Sequence, residues 1–429
     1  MLSQLQSLFG PGSGLVPHLQ SLLGIVVILL AAWLFSEKRR AFPFRTVVSG
    51  LALQIGLALL LLKVPVARDG LFALNGVVRA LTVATRAGTS FVFGMVGGAD
   101  PPFTVTNPSG MVNFAFGILP LVIVISALSA LLWHWKILPI VVKGVAFVLR
   151  KLLGVGGAVG LGGGAMVFLG NVEGLLVIRP YLSKLTRAEM FILFTVGMAV
   201  CSGTVFVLYA MILKDVLPAA LGHILVASFL SLVGAIVIGR ILMPSEAGID
   251  APDAGSRYRS SMDSIAHGTE EGLKLYWQII AMLVVVVALV ALLNVILSSF
   301  PPVWGAPLTL QRIFGWLFAP VVWLIGVPWH QSAAAGSLLG LKTSLNEVIA
   351  YLGMAALPAG TLDPRSMLIM VYALCGFANF SSVGILIAGT SALVPERRDE
   401  IVPLAMRALV SGTMASCLSG AVIGMLPVV

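Results

Sequence analysis

The sequence predicts an all-α polytopic membrane protein, with about eight transmembrane helices and two re-entrant hairpins arranged as inverted repeats. Three observations carry that expectation. Only 10% of the 429 residues are charged and 59% are hydrophobic, with a mean hydropathy of +1.05, whereas a soluble domain averages about 25% charged residues. Eight apolar stretches approach the roughly 20 residues that a helix needs to cross a bilayer. Two further regions, 150–185 and 325–352, hold shorter apolar runs broken by Gly, Ser or Asn, each with a glutamate at its middle.

The eight spans fall near 20–36, 47–65, 114–134, 188–212, 217–243, 272–298, 366–390 and 402–427. Lys and Arg gather in the short loops, so the excess of positive charge on the cytoplasmic side sets the orientation. SEKRRAFPFR (36–45) faces the cytoplasm, as do the segments around Lys143, Arg150, Lys151, Arg179, Lys184 and Arg187, and PERR (395–398). The stretch 299–330, whose one charge is Arg312, lies outside, and so do both termini. Topology accounts for the net charge of +9, and no nucleic-acid partner is expected. Residues 1–20 lack the basic start of a cleavable signal, so the first apolar segment is expected to stay in the protein. Residues 244–270 form the one long polar segment and read as a cytoplasmic linker between two halves.

Irregular backbone survives in a bilayer only where protein covers it or water reaches it. Short broken segments at matching places in two halves mark re-entrant hairpins around a central site. Each hairpin precedes a span with polar residues: Ser202 and Thr204 after the first, Asn379, Ser381 and Ser382 after the second. By the charge rule the first hairpin enters from the cytoplasm and the second from outside, which makes the repeat inverted.

The glutamates are Glu173, in FLGNVEGLLVIRP (168–180), and Glu347, in KTSLNEVIAYLG (342–353). A carboxylate at the bilayer centre costs at least about 2.5–3.5 kcal/mol, so each needs a partner, water, a proton or a substrate. Snorkelling to a helix end, or a pair with Arg179, is the plainer account of Glu173. Carboxylates beside carboxamides suit a neutral ligand rich in hydroxyl and amide groups. An anion would call for Arg or Lys, and a metal ion for more carboxylates or histidines. The five histidines are scattered, and Cys201, Cys375 and Cys417 stand far apart in apolar segments, so neither a metal site nor a disulfide is expected. The run GVGGAVGLGGG (154–164) lacks the GK[ST] ending of a phosphate loop and reads as close helix packing. Phe377, in GFANFSS (376–382), either packs or stacks on a planar ring. With no nucleophile–base pair or metal cluster in view, an enzyme is not expected, and no cofactor is called for.

At several of these segments the chain resembles the concentrative nucleoside transporters of bacteria. The resemblance rests on SLLGIVVILLAAWLFSEKRRAFPFRTV (21–47), on FGMVGG (93–98) and FAFGILPLVIVISALSALLWHW (114–135), on GNVEG with VIRPYLSKLTRAEMF, on LKTSLNEVIAYL, and on YALCGFANFSSVGILI with VPERR. It implies a homotrimer in the bacterial inner membrane, each protomer having a scaffold domain and a transport domain that is built from two hairpins and two broken helices and moves as an elevator. Residues 1–135 are then mainly scaffold, and 136–243 hold the first hairpin and mainly transport-domain helices. After the linker 244–270, residues 271–298 form a scaffold helix and 299–429 the second hairpin and final transport-domain helices. The resemblance also implies residue roles. Asn171, Val172 and Glu173 stand where the family's Gln-Thr-Glu contacts the nucleobase. Asn346 and Glu347, with Asn379 and Ser382, stand where the ribose is held, and Phe377 lines the same pocket.

The departures bear on selectivity and coupling. Asn171 is one methylene shorter than Gln, Val172 lacks the hydroxyl of Thr, and Gly174-Leu175 replaces Ala-Pro. At the two positions where sodium-coupled members supply side-chain oxygens, this chain has Met166 and Val200. A thioether is a poor ligand for a hard cation, and carbonyls such as those of Leu169 and Cys201 are too few alone. The expectation is therefore a nucleoside symporter driven by protons, with Glu173 or Glu347 as the carrier, since burial favours the neutral carboxyl. A sodium symporter with a rearranged site, and a nucleoside-binding sensor that does not transport, are the alternatives.

Overall fold

The structure is a computed structural model that describes residues 15–104, 113–217, 219–244, 258–303 and 305–427. The described part is helical almost throughout, because backbone that crosses hydrocarbon must satisfy its own hydrogen bonds. α1 (Leu15–Leu34) and α2 (Phe44–Lys63) match the first two spans. α3 (Pro65–Phe93) is a helix that the apolar runs do not reveal, since Arg68, Asp69, Arg79 and Arg86 interrupt it. α4 (Leu121–His134) completes the third span after a π-helical turn, Phe114–Ile118, whose start the Asn113 side chain caps. α5 (Ile137–Leu153) then leads into the first hairpin.

That hairpin is α6 (Gly157–Leu169) and α7 (Asn171–Val177), followed by the short α8 (Arg179–Leu182). The glycine run forms the first arm. Gly160 and Gly164 bring it against the Ala146 and Val142 carbonyls of α5, where an added Cβ would stand 3.2 and 3.4 Å away. The span expected at 188–212 is two helices, α9 (Arg187–Ala199) and α10 (Gly203–Leu213). A capping box starts α9, with Thr186 Oγ1 accepting from Glu189 N and Glu189 accepting from Thr186 N. α11 (Ala220–Leu242) and α12 (Ser261–Ser298) follow; of the polar linker, 245–257 lies outside the described residues.

The stretch 299–330, read from its lack of charge as an outside loop, contains a further helix, α13 (Leu310–Leu324). It meets α14 (Trp329–Ser344) at 115°. α14 and α15 (Glu347–Ala355) make the second hairpin. The span expected at 366–390 is likewise broken, into α16 (Pro364–Leu374) and α17 (Phe380–Leu393), and α18 (Arg398–Met425) ends the described fold. Neither break shows in the apolar pattern, because apolar residues flank both. By length and composition the described residues hold seven helices able to cross a membrane, or eight if α13 and α14 count as one span.

The hairpins enter from opposite ends. At one end Arg187 lies 3.3 Å from Glu37, Arg407 pairs with the same carboxylate, and Arg397 donates to the Leu182 and Leu185 carbonyls at 3.0 and 2.7 Å. The 36–45 loop, the segment around Lys184 and Arg187, and PERR (395–398), all expected on the cytoplasmic face, thus lie together at one end. At the other end Arg365 donates to the carbonyls of Gly326, Pro17 and Gly424 at 2.6, 2.9 and 2.5 Å. It ties the entry of the second hairpin to the start of α1 and the end of α18. α4 and α12 pack against each other, whereas α1 lies against α18 and α2 against α11.

Candidate functional site

The two tips and the two breaks meet in the middle of the molecule. The first tip turns at Gly170, whose φ of +120° is open only to glycine; an added Cβ would also stand 2.7 Å from Glu173 Oε2. The turn places Asn171 and Glu173 in the first turn of α7, where the helix dipole favours a carboxylate. The second tip has no glycine. Asn346 caps α15 through Oδ1, which accepts from Ile349 N at 3.0 Å, and Glu347 follows in the first turn.

The breaks cross in close contact. Phe377 N donates to the Val200 carbonyl at 3.3 Å, which joins them backbone to backbone. Gly376, at φ +143°, permits this approach, since a Cβ there would lie 2.4 Å from the Ala199 carbonyl oxygen. The thiols of Cys201 and Cys375 face each other here at 3.5 Å. All three cysteines are free and buried.

At the centre Glu347 is 5% exposed and doubly held. Tyr209 Oη donates to its Oε1 at 2.7 Å, and Asn379 Nδ2 to its Oε2 at 3.0 Å. Asn379 meanwhile caps α17, accepting from Ser382 N at 2.8 Å. Burial of a carboxylate is tolerable when charge-assisted bonds replace its water. Tyr209 escapes the sequence reading because its partner is 138 positions away. Ser202 and Thr204, joined at 2.6 Å between their hydroxyls, extend the polar wall from the first break.

A cavity of about 240 Å³ opens on these groups. Asn171 and Glu173 line it from the first tip, Asn346 and Glu347 from the second, and Phe377, Asn379 and Ser382 from the second break. The opposite wall is α12, with Leu275, Ile279 and Met282, and the cavity runs on past Lys274 and Glu271 to Tyr258. Seven of the eight sequence candidates therefore share one space. The eighth, Val172, turns away: its Cγ2 lies 2.6 Å from where a Cβ on Gly389 would stand. Met166 and Val200 are fully buried. The Met166 side chain fills the gap between Gly174 and Gly197, 2.4 Å from the Cβ that Gly174 lacks. The Cys201 carbonyl accepts from Ser228 Oγ at 3.1 Å.

Two family models match this chain, the N-terminal part of the "Na+ dependent nucleoside transporter" over residues 23–96 and its C-terminal part over 223–424. The nucleoside permease NupC of Helicobacter pylori is 33% identical over 94% of this chain and 97% of its own length. The chain belongs to the concentrative nucleoside transporter family. Another relative, the uncharacterized transporter YutK of Bacillus subtilis, is 35% identical over 95% of this chain and 99% of its own length. Among solved structures, CNTnw in an inward-facing substrate-bound state superposes with a TM-score of 0.88 at 32% identity, covering 96% of this chain and 98% of that one. A variant of CNTnw in an outward-facing state gives 0.86 at 31% identity, over 95% and 97%. As a family member the chain is a multi-pass membrane transporter of nucleosides, and the hairpins and broken helices are the fold it shares with those structures.

Proposed function

We propose that this transporter imports nucleosides across the bacterial inner membrane in symport with protons, as a homotrimer whose hairpin-bearing part moves as an elevator past α4 and α12. The observation that carries the binding reading is the Glu347 carboxylate, held by Tyr209 and Asn379 at the wall of a cavity that both tips reach. Its lone pairs suit ribose hydroxyls, which donate. Asn171, both donor and acceptor, suits a nucleobase edge, and Phe377 offers a ring face to it. The continuation of the cavity along α12 toward the linker supports a binding site that opens inward here.

The proton reading rests on the ion position. Met166 occupies the gap that the family's side-chain oxygen would enter, and Ser228 already takes up the Cys201 carbonyl. Sodium there would have to displace a thioether and find several oxygens. Glu173 and Glu347 are the groups that protonate instead. The test is uridine and adenosine uptake into proteoliposomes under an inward proton or an inward sodium gradient. Uptake driven by protons, indifferent to sodium and lost in Glu173→Gln or Glu347→Gln supports the proposal. Uptake driven by sodium overturns the proton reading, and binding without uptake under either gradient overturns transport in favour of a sensor.

A further inference from the structure

The second repeat buries a lysine. Lys342, on α14, is fully buried, and its Nζ donates to the Ala373 carbonyl at 3.0 Å and to Ser416 Oγ at 2.8 Å. Ala373 lies in the last turn of α16, which ends at Leu374. The last four carbonyls of a helix have no partner within it, and that end carries a partial negative charge. A helix that stops inside hydrocarbon keeps both deficits, since no water is present to answer them. The Lys342 amine supplies a donor at that end.

The first repeat handles the same situation with neutral groups. α9 also stops in mid-molecule, at Ala199. Its Val200 carbonyl accepts from Phe377 N and its Cys201 carbonyl from Ser228 Oγ. Among the first-arm residues that pack on this half-helix, with Gly162 and Gly163 against Leu193 and Val196, is Met166, against Gly197. Met166 and Lys342 thus hold corresponding places. Each sits on the first arm of its hairpin, against the half-helix that comes next. One is a thioether and the other a hydrogen-bond-donating amine.

Lys342 stands five residues before Glu347, and the half-helix it grips continues into the segment that presents Phe377 and Asn379. It therefore joins the two backbones that carry the Glu347–Asn379 pair. We infer that Lys342 is a positioning residue of the substrate site, clamping the second hairpin to the end of α16 so that Glu347 and Asn379 stay in register. The inference rests on the reading that this pair holds the nucleoside.

The test is calorimetric uridine binding, with uptake kinetics, for the wild type, Lys342→Met, Ser416→Ala, Asn379→Ala and the double variant Lys342→Met/Asn379→Ala. Lys342→Met should weaken uridine at least about tenfold and raise KM, while the maximal rate per folded molecule stays within about threefold. Asn379→Ala should weaken binding at least about tenfold, and the double variant only about threefold more, because both changes remove one pair. Ser416→Ala, which takes away one acceptor, should cost about threefold. Full additivity, or uridine affinity within about twofold of wild type in Lys342→Met beside a tenfold loss in Asn379→Ala, overturns the inference alone. Wild-type affinity in Asn379→Ala overturns the inference and the binding reading together. Should Lys342→Met fail to elute as a single species, Lys342→Gln and Ser416→Ala decide, and unchanged affinity in both overturns it.

Discussion

The two hairpins solve one problem with different chemistry. Each brings a glutamate to the centre of a membrane protein on the first turn of a helix. The first tip relies on backbone freedom at Gly170 and on neutral groups around the half-helix end. The second relies on side chains: an asparagine cap, a tyrosine and an asparagine on Glu347, and a buried lysine amine on α16. The difference teaches that a structural repeat need not repeat its electrostatics. The second half is the more heavily tied, and the first is the one that buries the apolar Met166 and Val200.

Breaking the second tip should have the largest effect. Glu347→Ala leaves the Tyr209 hydroxyl and the Asn379 amide facing an empty place, and each unmet buried group costs about 1–3 kcal/mol. Uridine uptake should fall on the order of 100-fold, with the protein still monodisperse; a fall of less than about fivefold would remove Glu347 from the centre of the site. Next comes the first tip. Gly170→Ala places a Cβ on a backbone that only glycine adopts, which costs about 1–3 kcal/mol, so uptake should drop about tenfold or more. Leu345→Ala at the glycine-free second tip should cost far less, and equal losses would erase the contrast between the tips.

Tyr209→Phe removes one charge-assisted bond and keeps the ring, so KM should rise about 5- to 15-fold, or about 1–1.5 kcal/mol. Met166→Asn with Val200→Ser sharpens the comparison from the other side. These changes put oxygens where Met166 and Val200 now stand, and on the proposed ion position uptake in proteoliposomes should become sodium-stimulated by about two- to fivefold. The smallest effect belongs to Val172→Thr. Because Val172 packs on Gly389 rather than on the cavity, uridine affinity should stay within about twofold. A larger gain would show that this side chain reaches the ligand.

Much of this was legible in the sequence, for physical reasons. Spans show because hydrocarbon demands long apolar runs, and the hairpins show because Glu173 and Glu347 each sit at the middle of short apolar runs broken by Gly, Ser or Asn. The two broken helices were expected from the resemblance alone; their positions at 200–202 and 375–379 were not legible in the apolar pattern, since what satisfies the carbonyls there is remote: Phe377 N for Val200, Ser228 for Cys201, Lys342 for Ala373. α3 and α13 were missed because charge or proline interrupts their apolar pattern, as at Arg79 and Pro320. The orientation of Val172 was missed because only the packing of α17 on α7 decides it. The role of Tyr209 depends on a partner in the other half of the chain.

The backbone bond from Phe377 to Val200 carries a consequence for energy conversion. Because it ties the halves of the cradle to each other, a cradle that moves as the proposed elevator would travel as cargo with one shape and one intrinsic affinity, whichever face it opens to. Such a carrier does no work by gripping tightly on one side and loosely on the other. Under the proposed symport, the steady-state ratio of nucleoside inside to outside would be fixed by the electrochemical potential of the accompanying ion and by the number of ions per cycle. Mutations that weaken the cradle slow the approach to that ratio without moving it.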